Sequence, residues 1–233
     1  MPTPSHLLSP TYWLCRLTPE FIGRYPSWSA ARAATEGYDA PDILQAVRAS
    51  ALKVKRGEAK FERDSVCFGH EEFRWPLLGC LLHAANMKQR NLHVADFGGS
   101  LGSLYFQHGK FLRQIEGLQW SNVEQRDYVT AGREDFEDDT LKFYPTLGSA
   151  AVRNAIDLTL FPGSLQYLDD PFEYIAQAAA LSDCIVIDRT PFIDEPEDRI
   201  TRSARPRVDL QSVLSAPLFL GGKVCALHGQ RRL

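Results

Sequence analysis

The sequence predicts an α/β fold with a doubly wound, mostly parallel sheet, and three observations carry that expectation. From residue 92 onward, short apolar runs alternate with amphipathic helical segments, the signature of strand–helix–strand units. The first run, Leu92 to Ala95, leads straight into the turn Asp96-Phe97-Gly98-Gly99-Ser100-Leu101-Gly102 and then a helix. A chain of 233 residues is also long enough to bury the core such a sheet needs.

Taken in order, residues 1 to about 26 carry five prolines and mixed aromatics without periodicity, which reads as an irregular arm. Pro41 opens a helix, with Asp39 as its candidate N-cap; Ile43, Leu44, Val47, Ala51 and Val54 share one face until Gly57 ends it. Glu62 to Ser65 is a charged turn entering Val66 to Phe68, and Trp75-Pro76 starts a second helix. After the glycine turn, Leu101, Leu104, Tyr105, His108, Phe111, Leu112 and Ile115 repeat every 3.6 residues, as on an amphipathic helix laid on a sheet. His108, on that apolar face, is expected to be buried with its ring nitrogens satisfied. Further strands are predicted at Trp120–Val123, Leu141–Tyr144, Ile156–Phe161, Cys184–Ile187 and Val224–Leu227, and a helix over Pro171–Leu181. In such sheets ligands bind beyond the carboxyl ends of the strands. Asp96, Glu124, the segment after Phe161, and Asp188 therefore form one neighbourhood.

Composition narrows the function. The apolar and charged shares, 44% and 24%, are those of a globular protein. A net charge of −3 argues against phosphate-backbone binding, so no nucleic-acid partner is expected; the basic run Arg199, Arg202, Arg205 and Arg207 reads as a solvated loop. Cys15, Cys67, Cys80, Cys184 and Cys225 are scattered and odd in number, forming neither a disulfide framework nor a zinc motif. The six histidines show no ligand spacing, so no metal is expected. With no apolar run near the ~20 residues of a membrane span and no signal-peptide pattern, a cytoplasmic location is expected.

The turn itself selects among cofactors. A strand–glycine–helix turn brings a ligand onto backbone amides at a helix N-terminus. A dinucleotide fingerprint reads Gly-x-Gly-x-x-Gly, its second glycine making room for pyrophosphate. Here the glycines are Gly98 and Gly102, with Gly99 and Ser100 between, and a pyrophosphate would meet the Ser100 side chain. Asp96 at the strand end repels phosphate but suits the ammonium and sulfonium charges of S-adenosylmethionine. Glu124, closing the next strand 28 residues after Asp96, can accept hydrogen bonds from ribose hydroxyls. These features favour S-adenosylmethionine over a nicotinamide cofactor. A glycine turn serving only helix–sheet packing is the alternative without a ligand.

Several strings occur in a familiar order: Glu62-Arg63-Asp64-Ser65-Val66, Trp75-Pro76-Leu77-Leu78, Asp96 to Ser103, Val123-Glu124-Gln125, Leu165-Gln166-Tyr167-Leu168 and Ile187-Asp188-Arg189-Thr190-Pro191. Over residues 20 to 195 the sequence resembles a family of bacterial class I methyltransferases often encoded near surface-polysaccharide genes. The resemblance implies a seven-stranded Rossmann-like sheet, with residues 1–88 an arm and helical extension capping the substrate and 89–233 the S-adenosylmethionine-binding domain. It adds Gln125 beside Glu124, and makes Ser164 and Leu165 the turn lining the methyl-transfer site. Tyr144-Pro145-Thr146 would lie near the adenine. The tail from Ile200 to Arg207 departs from the family's pattern, which leaves the C-terminal strands open to being incomplete.

Methyl transfer is an in-line displacement that depends chiefly on holding the acceptor in place, helped by a base that removes its proton. Asp188 at a strand end and Asp64 are the candidate catalytic residues, with His70 beside them. Arg189 and Arg63 are candidates for holding an anionic substrate. The expected function is O- or N-methylation of a small molecule or polysaccharide precursor. A nicotinamide-dependent oxidoreductase and a non-catalytic interaction protein of the same fold are the alternatives.

Overall fold

The computed structural model describes residues 21–34, 41–89, 91–193, 198–203, 210–215 and 224–227. In chain order the first elements are β1 (Phe21–Tyr25), α1 (Trp28–Ala33), α2 (Pro41–Lys55), β2 (Phe61–Arg63), β3 (Val66–Phe68) and α3 (Trp75–Met87). Then come β4 (Asn91–Phe97), α4 (Ser103–Leu112), β5 (Gly117–Val123), α5 (Arg126–Asp135), β6 (Leu141–Tyr144), α6 (Leu147–Ala151) and β7 (Ile156–Pro162). A 3-10 turn (Leu165–Tyr167) leads to α7 (Pro171–Leu181), β8 (Ser182–Asp188), β9 (Phe192–Ile193), β10 (Arg199–Ser203), β11 (Leu210–Ser215) and β12 (Val224–Leu227). Asp39, Tyr12, Trp13, Arg205 and Arg207 lie outside the described residues.

The elements fall into two compact units. One holds β1, α1 and β9 to β11; the other holds α2 through β8 together with β12. The boundary expected at residue 88 therefore falls inside the second unit, because α2, the β2–β3 hairpin and α3 belong with the sheet that follows them.

The second unit is built on a six-stranded sheet in the order β6-β5-β4-β7-β8-β12, every neighbouring pair parallel. Counted from β4, this is the doubly wound order 3-2-1-4-5-6, with its switch point between β4 and β7. Register assigns the faces, since residues paired across strands point the same way. Asp96 pairs with Asn122 and Leu160, Leu160 with Val186, and Pro162 with Asp188. On that face Leu92, Val94, Trp120, Leu141, Phe143, Leu158, Leu160 and Val186 form the core with Val47 and Ala51 of α2 and Leu77 and Leu81 of α3. Leu104 and Leu112 of α4 and Val129 of α5 complete it. The opposite face is covered by α6 and α7, which pack on each other. No helix among the described residues is long and apolar enough to cross a membrane.

The strand expected over Val224–Leu227 is present, and two other expectations about the tail and arm change. Among the described residues the parallel sheet has six strands, and β12 pairs directly with β8 from Val224↔Ile185 to Leu227↔Asp188. The other strand material of the tail is drawn elsewhere. Residues 199–203, read as a basic loop, form β10, which pairs antiparallel with β11 and with β1 (Phe21↔Ser203, Tyr25↔Ile200). The arm segment Phe21–Tyr25 is thus a strand. Its partner lies about 180 residues away, and local periodicity carries no sign of it.

Where α5 crosses β6 the packing leaves no space for a side chain. A Cβ on Gly132 would stand no more than 2.6 Å from three atoms of the fully buried Phe143 ring. Alanine would add about 1 kcal/mol of helix propensity, yet displacing a ring in a filled core costs about 1–3 kcal/mol or more. We expect Gly132→Ala to lower the urea unfolding midpoint; a raised midpoint would contradict this packing.

Candidate cofactor site

The turn after β4 is held by its own backbone. Gly98, Ser100 and Gly102 all take left-handed φ values of 74°, 56° and 88°, a region that favours glycine. A Cβ on Gly98 would stand 2.6 Å from Ser164 Cβ, and one on Gly99 would collide with Asn122 Oδ1 and lie 2.6 Å from the Asp96 carboxyl carbon. Gly102 caps α4 without a side-chain bond. The Ser100 N–H donates to Glu124 Oε1 (3.1 Å), and its carbonyl accepts from Asn122 Nδ2 (2.5 Å). Glu124 Oε2 accepts from the Gln125 N–H at 2.9 Å. One carboxylate at the end of β5 thus ties the turn to the next strand, and each oxygen keeps a further lone pair.

Buried polar groups divide along the strands. Toward their amino ends they are satisfied: His93 bonds Ser121 Oγ (2.8 Å) and the Ala155 carbonyl (3.0 Å), and Thr159 donates to Ser182 Oγ (3.0 Å). Around their carboxyl ends they are not. Both oxygens of fully buried Asp96, Asn122 Oδ1, Ser164 Oγ and Thr190 Oγ1 lack a protein partner. The Trp120 indole N–H is near enough to favour a charged Asp96 without closing a hydrogen bond. Buried polar atoms are rarely left so, and a cluster of them marks a site that accepts a ligand or water. Burial pushes Asp96 up to about 7, opposed by Arg74 and Trp120. Burial likewise raises Glu124 to about 7 against the pull of its two N–H donors.

The β2–β3 hairpin brings a further acid to the turn. Its loop, Asp64-Ser65, has φ of 51° and 66°, as in a two-residue hairpin turn with both centres left-handed. Asp64 itself is exposed at the tip and is not gathered with the other candidates. Buried Glu62 is: it accepts a hydrogen bond from Ser103 Oγ at the start of α4, and burial raises its pKa. Glu62 and Glu124 both act on Tyr128 of α5, whose phenol is pushed up to about 12, first by burial. Arg63 pairs with Glu72 at 2.5 Å and lies over the Phe61 ring. His70 packs edge-on against Phe61 and Phe68 at the exposed side of the hairpin.

Asp188 lies buried at the end of β8, in an ion pair with Arg74, the residue that caps α3. The ion pair occupies one Asp188 oxygen with a guanidinium, so that carboxylate is already engaged by the protein. Arg189 is exposed, with a left-handed φ of 57°, and its charge is felt by both Glu72 and Arg74. His108 departs from expectation. It is fully buried, but neither ring nitrogen has a protein partner. Burial first, then the Arg74 charge, lowers it to about 4, so the ring stays neutral and avoids the larger cost of burying a charge, though an unpartnered neutral group still costs about 1–3 kcal/mol.

The sheet therefore brings together Asp96, Gly98, Gly99, Ser100, Gly102, Glu124, Gln125, Ser164, fully buried Leu165 and Asp188. Thr146, in the segment after β6, caps α6 with a reciprocal bond to Ser149, and the Glu124 N–H donates to the Tyr144 carbonyl. Arg74, Asn122 and Glu62 were not singled out from the sequence. Asn122 carries a legible signal, a polar residue two places after Trp120 and so on the same inward face of β5.

No protein-family model matches the chain, and no curated protein matches its sequence. Among solved structures it is similar to the N-terminal domain of EvdMO1 in the presence of SAH and D-fucose. The identity is 14% and the TM-score 0.39, with 70% of this chain and 81% of that one covered. It is also similar to the mitomycin 7-O-methyltransferase MmcR, at 17% identity and a TM-score of 0.35, covering 74% of this chain and 68% of that one.

The raised acids carry a stability signature. A carboxyl whose folded pKa of about 7 exceeds its unfolded value near 4 holds a proton in the folded state that the unfolded chain releases. Its contribution is complete below pH ~4 and is lost as pH rises toward 7. We expect the urea midpoint to fall between pH 5 and 7.5, and Asp96→Asn to flatten that slope. An unchanged slope in Asp96→Asn would mean that Asp96 is not a raised, desolvated acid.

Proposed function

We propose that the chain is an S-adenosylmethionine-dependent methyltransferase that O- or N-methylates a small molecule or a polysaccharide precursor. One observation carries the reading: a fully buried, unpartnered Asp96 carboxylate beneath a turn in which Gly99 cannot bear a side chain. An acid so placed is complementary to a cation and repels phosphate. The residues fit this cofactor. Asp96, with Asn122 Oδ1 beside it on the paired strand, meets the ammonium end. Glu124, with Gln125 at its side, has lone pairs to spare for ribose hydroxyls. Gly98, Gly99, Ser100 and Gly102 present backbone, and Ser164 and Leu165 wall the reacting end.

The bound cofactor supplies an activated methyl group, and the chain's own task is to hold and orient the acceptor, which accounts for much of such a rate. Arg63 and Arg189 are suited to an anionic group on the acceptor. Asp188, buried and paired, orients better than it deprotonates. Asp64 would serve as a base only for an acceptor reaching the hairpin tip. The hairpin and α3, which precede residue 88, supply the acceptor side of the site.

A second reading has one observation in its favour. The all-parallel order 3-2-1-4-5-6 is that of dinucleotide-binding domains, which suits a nicotinamide-dependent oxidoreductase. Against it stand buried Asp96 and the missing middle glycine, both unfavourable to a pyrophosphate.

Melting curves separate the readings, because a ligand bound only by the folded state stabilises it by about 2.7 kcal/mol at 100 times its Kd, roughly 5–10 °C for a domain of this size. S-adenosylhomocysteine is expected to raise Tm by that order, and NAD and NADP to leave it unchanged. A shift with NAD alone would establish the oxidoreductase; a shift with none would leave an interaction protein. In calorimetric titration, Glu124→Ala should weaken S-adenosylhomocysteine binding at least tenfold, about 1.4 kcal/mol. An unchanged affinity would remove Glu124 from the site.

A further inference from the structure

We infer that Arg74 anchors the α-carboxylate of the cofactor's amino-acid end, so that Asp96 and Arg74 together form a receptor for a zwitterion. The inference rests on the proposed cofactor and extends it to a residue outside the sheet, contributed by the segment between the hairpin and α3.

Three observations carry it. First, Arg74 is deeply placed: its side chain is 13% exposed and is paired with Asp188, itself 11% exposed. A guanidinium has five N–H donors in a planar fork, so the ion pair leaves donors for a second carboxylate. Second, the strand order fixes where it lies. β7 separates β4 from β8, and Arg74 is bound to the end of β8 while its charge acts on Asp96 at the end of β4. The guanidinium is thus held at the end of β8 and is near enough to Asp96 for the two charges to act on each other, while the unpartnered Ser164 hydroxyl follows the strand between them. Third, the charges around Arg74 differ from one side to the other. Arg63 and Arg189 add positive charge near Arg74, and Glu72 is already engaged by Arg63. On the other side Asp96 is fully buried with both oxygens unpartnered.

A buried acid lacking a partner beside a buried arginine matches the adjacent ammonium and carboxylate of an α-amino acid. It does not match a neutral ligand or a phosphate. Charge-assisted bonds to a carboxylate are among the stronger polar contacts, and arginine makes them bidentately.

The test compares two ligands on the same protein, which avoids dependence on a variant that fails to fold. The ligands are S-adenosylhomocysteine and its analogue lacking only the α-carboxylate, titrated calorimetrically into the full chain and into Arg74→Lys. The wild-type chain should bind the analogue at least tenfold more weakly, and Arg74→Lys should narrow that gap to less than threefold. A merely structural role for Arg74 would weaken both ligands equally and preserve the gap, which would overturn the inference. Equal binding of both ligands by the wild-type chain would overturn it too, while leaving the cofactor assignment intact. Binding of neither ligand by the wild-type chain would overturn the cofactor assignment itself, and this inference with it.

Discussion

The structure turns on one constraint: the carboxylate of Asp96 is withdrawn from water at the end of β4 and receives no hydrogen bond there. Removing such a group from solvent costs several kcal/mol when it is charged and unpaired. The surroundings are arranged to keep that cost bearable without ending it. Arg74 and Trp120 favour the charged form, and burial favours the proton. Gly99 passes so close that its Cα hydrogen is all the space allows. A site left poised between the two states is one that a cation can complete.

The same economy explains why the neighbouring residues are as they are. Asn122 uses its Nδ2 to hold the turn through the Ser100 carbonyl and leaves Oδ1 unpartnered. Glu124 holds the same turn from the other side through the Ser100 N–H. Glu62 reaches in from the hairpin to the first residue of α4, where a carboxylate is also favoured by the helix dipole. Ser100 keeps a left-handed φ that costs a non-glycine residue of order 1 kcal/mol, held in place by the Asn122 and Glu124 side chains. Around the amino ends of the strands, by contrast, His93 is satisfied by Ser121 and the Ala155 carbonyl, and Thr159 donates to Ser182, which donates in turn to the Ala178 carbonyl. The fold completes its polar core at one end and withholds partners at the other.

Much of this was legible because it is local. The Asp96–Gly102 turn, the helix after it, β6, α7 and the strand ending at Asp188 follow from periodicity, glycine spacing and apolar runs of the right length. What was not legible depends on distant pairing. The sheet of β1, β10, β11 and β9 joins segments from both ends of the chain, and its strands are too polar or too short to announce themselves. Arg74 sits one residue before Trp75-Pro76 and reads as an ordinary helix start; only the return of β8 beside it supplies Asp188. In the run from Glu62 to Asp64 the exposed tip residue and the buried acid read alike. The buried acid two places earlier is distinguished solely by the helix that the hairpin happens to meet.

The most direct measurement is difference electron density from crystals of the full chain grown with S-adenosylhomocysteine. Density is expected to cross the Gly98–Gly99 turn, with the amino group within hydrogen-bond distance of Asp96 and the ribose hydroxyls against Glu124. Density elsewhere on the molecule, or Asp96 still buried and unpartnered beneath the turn with ligand bound, would contradict it.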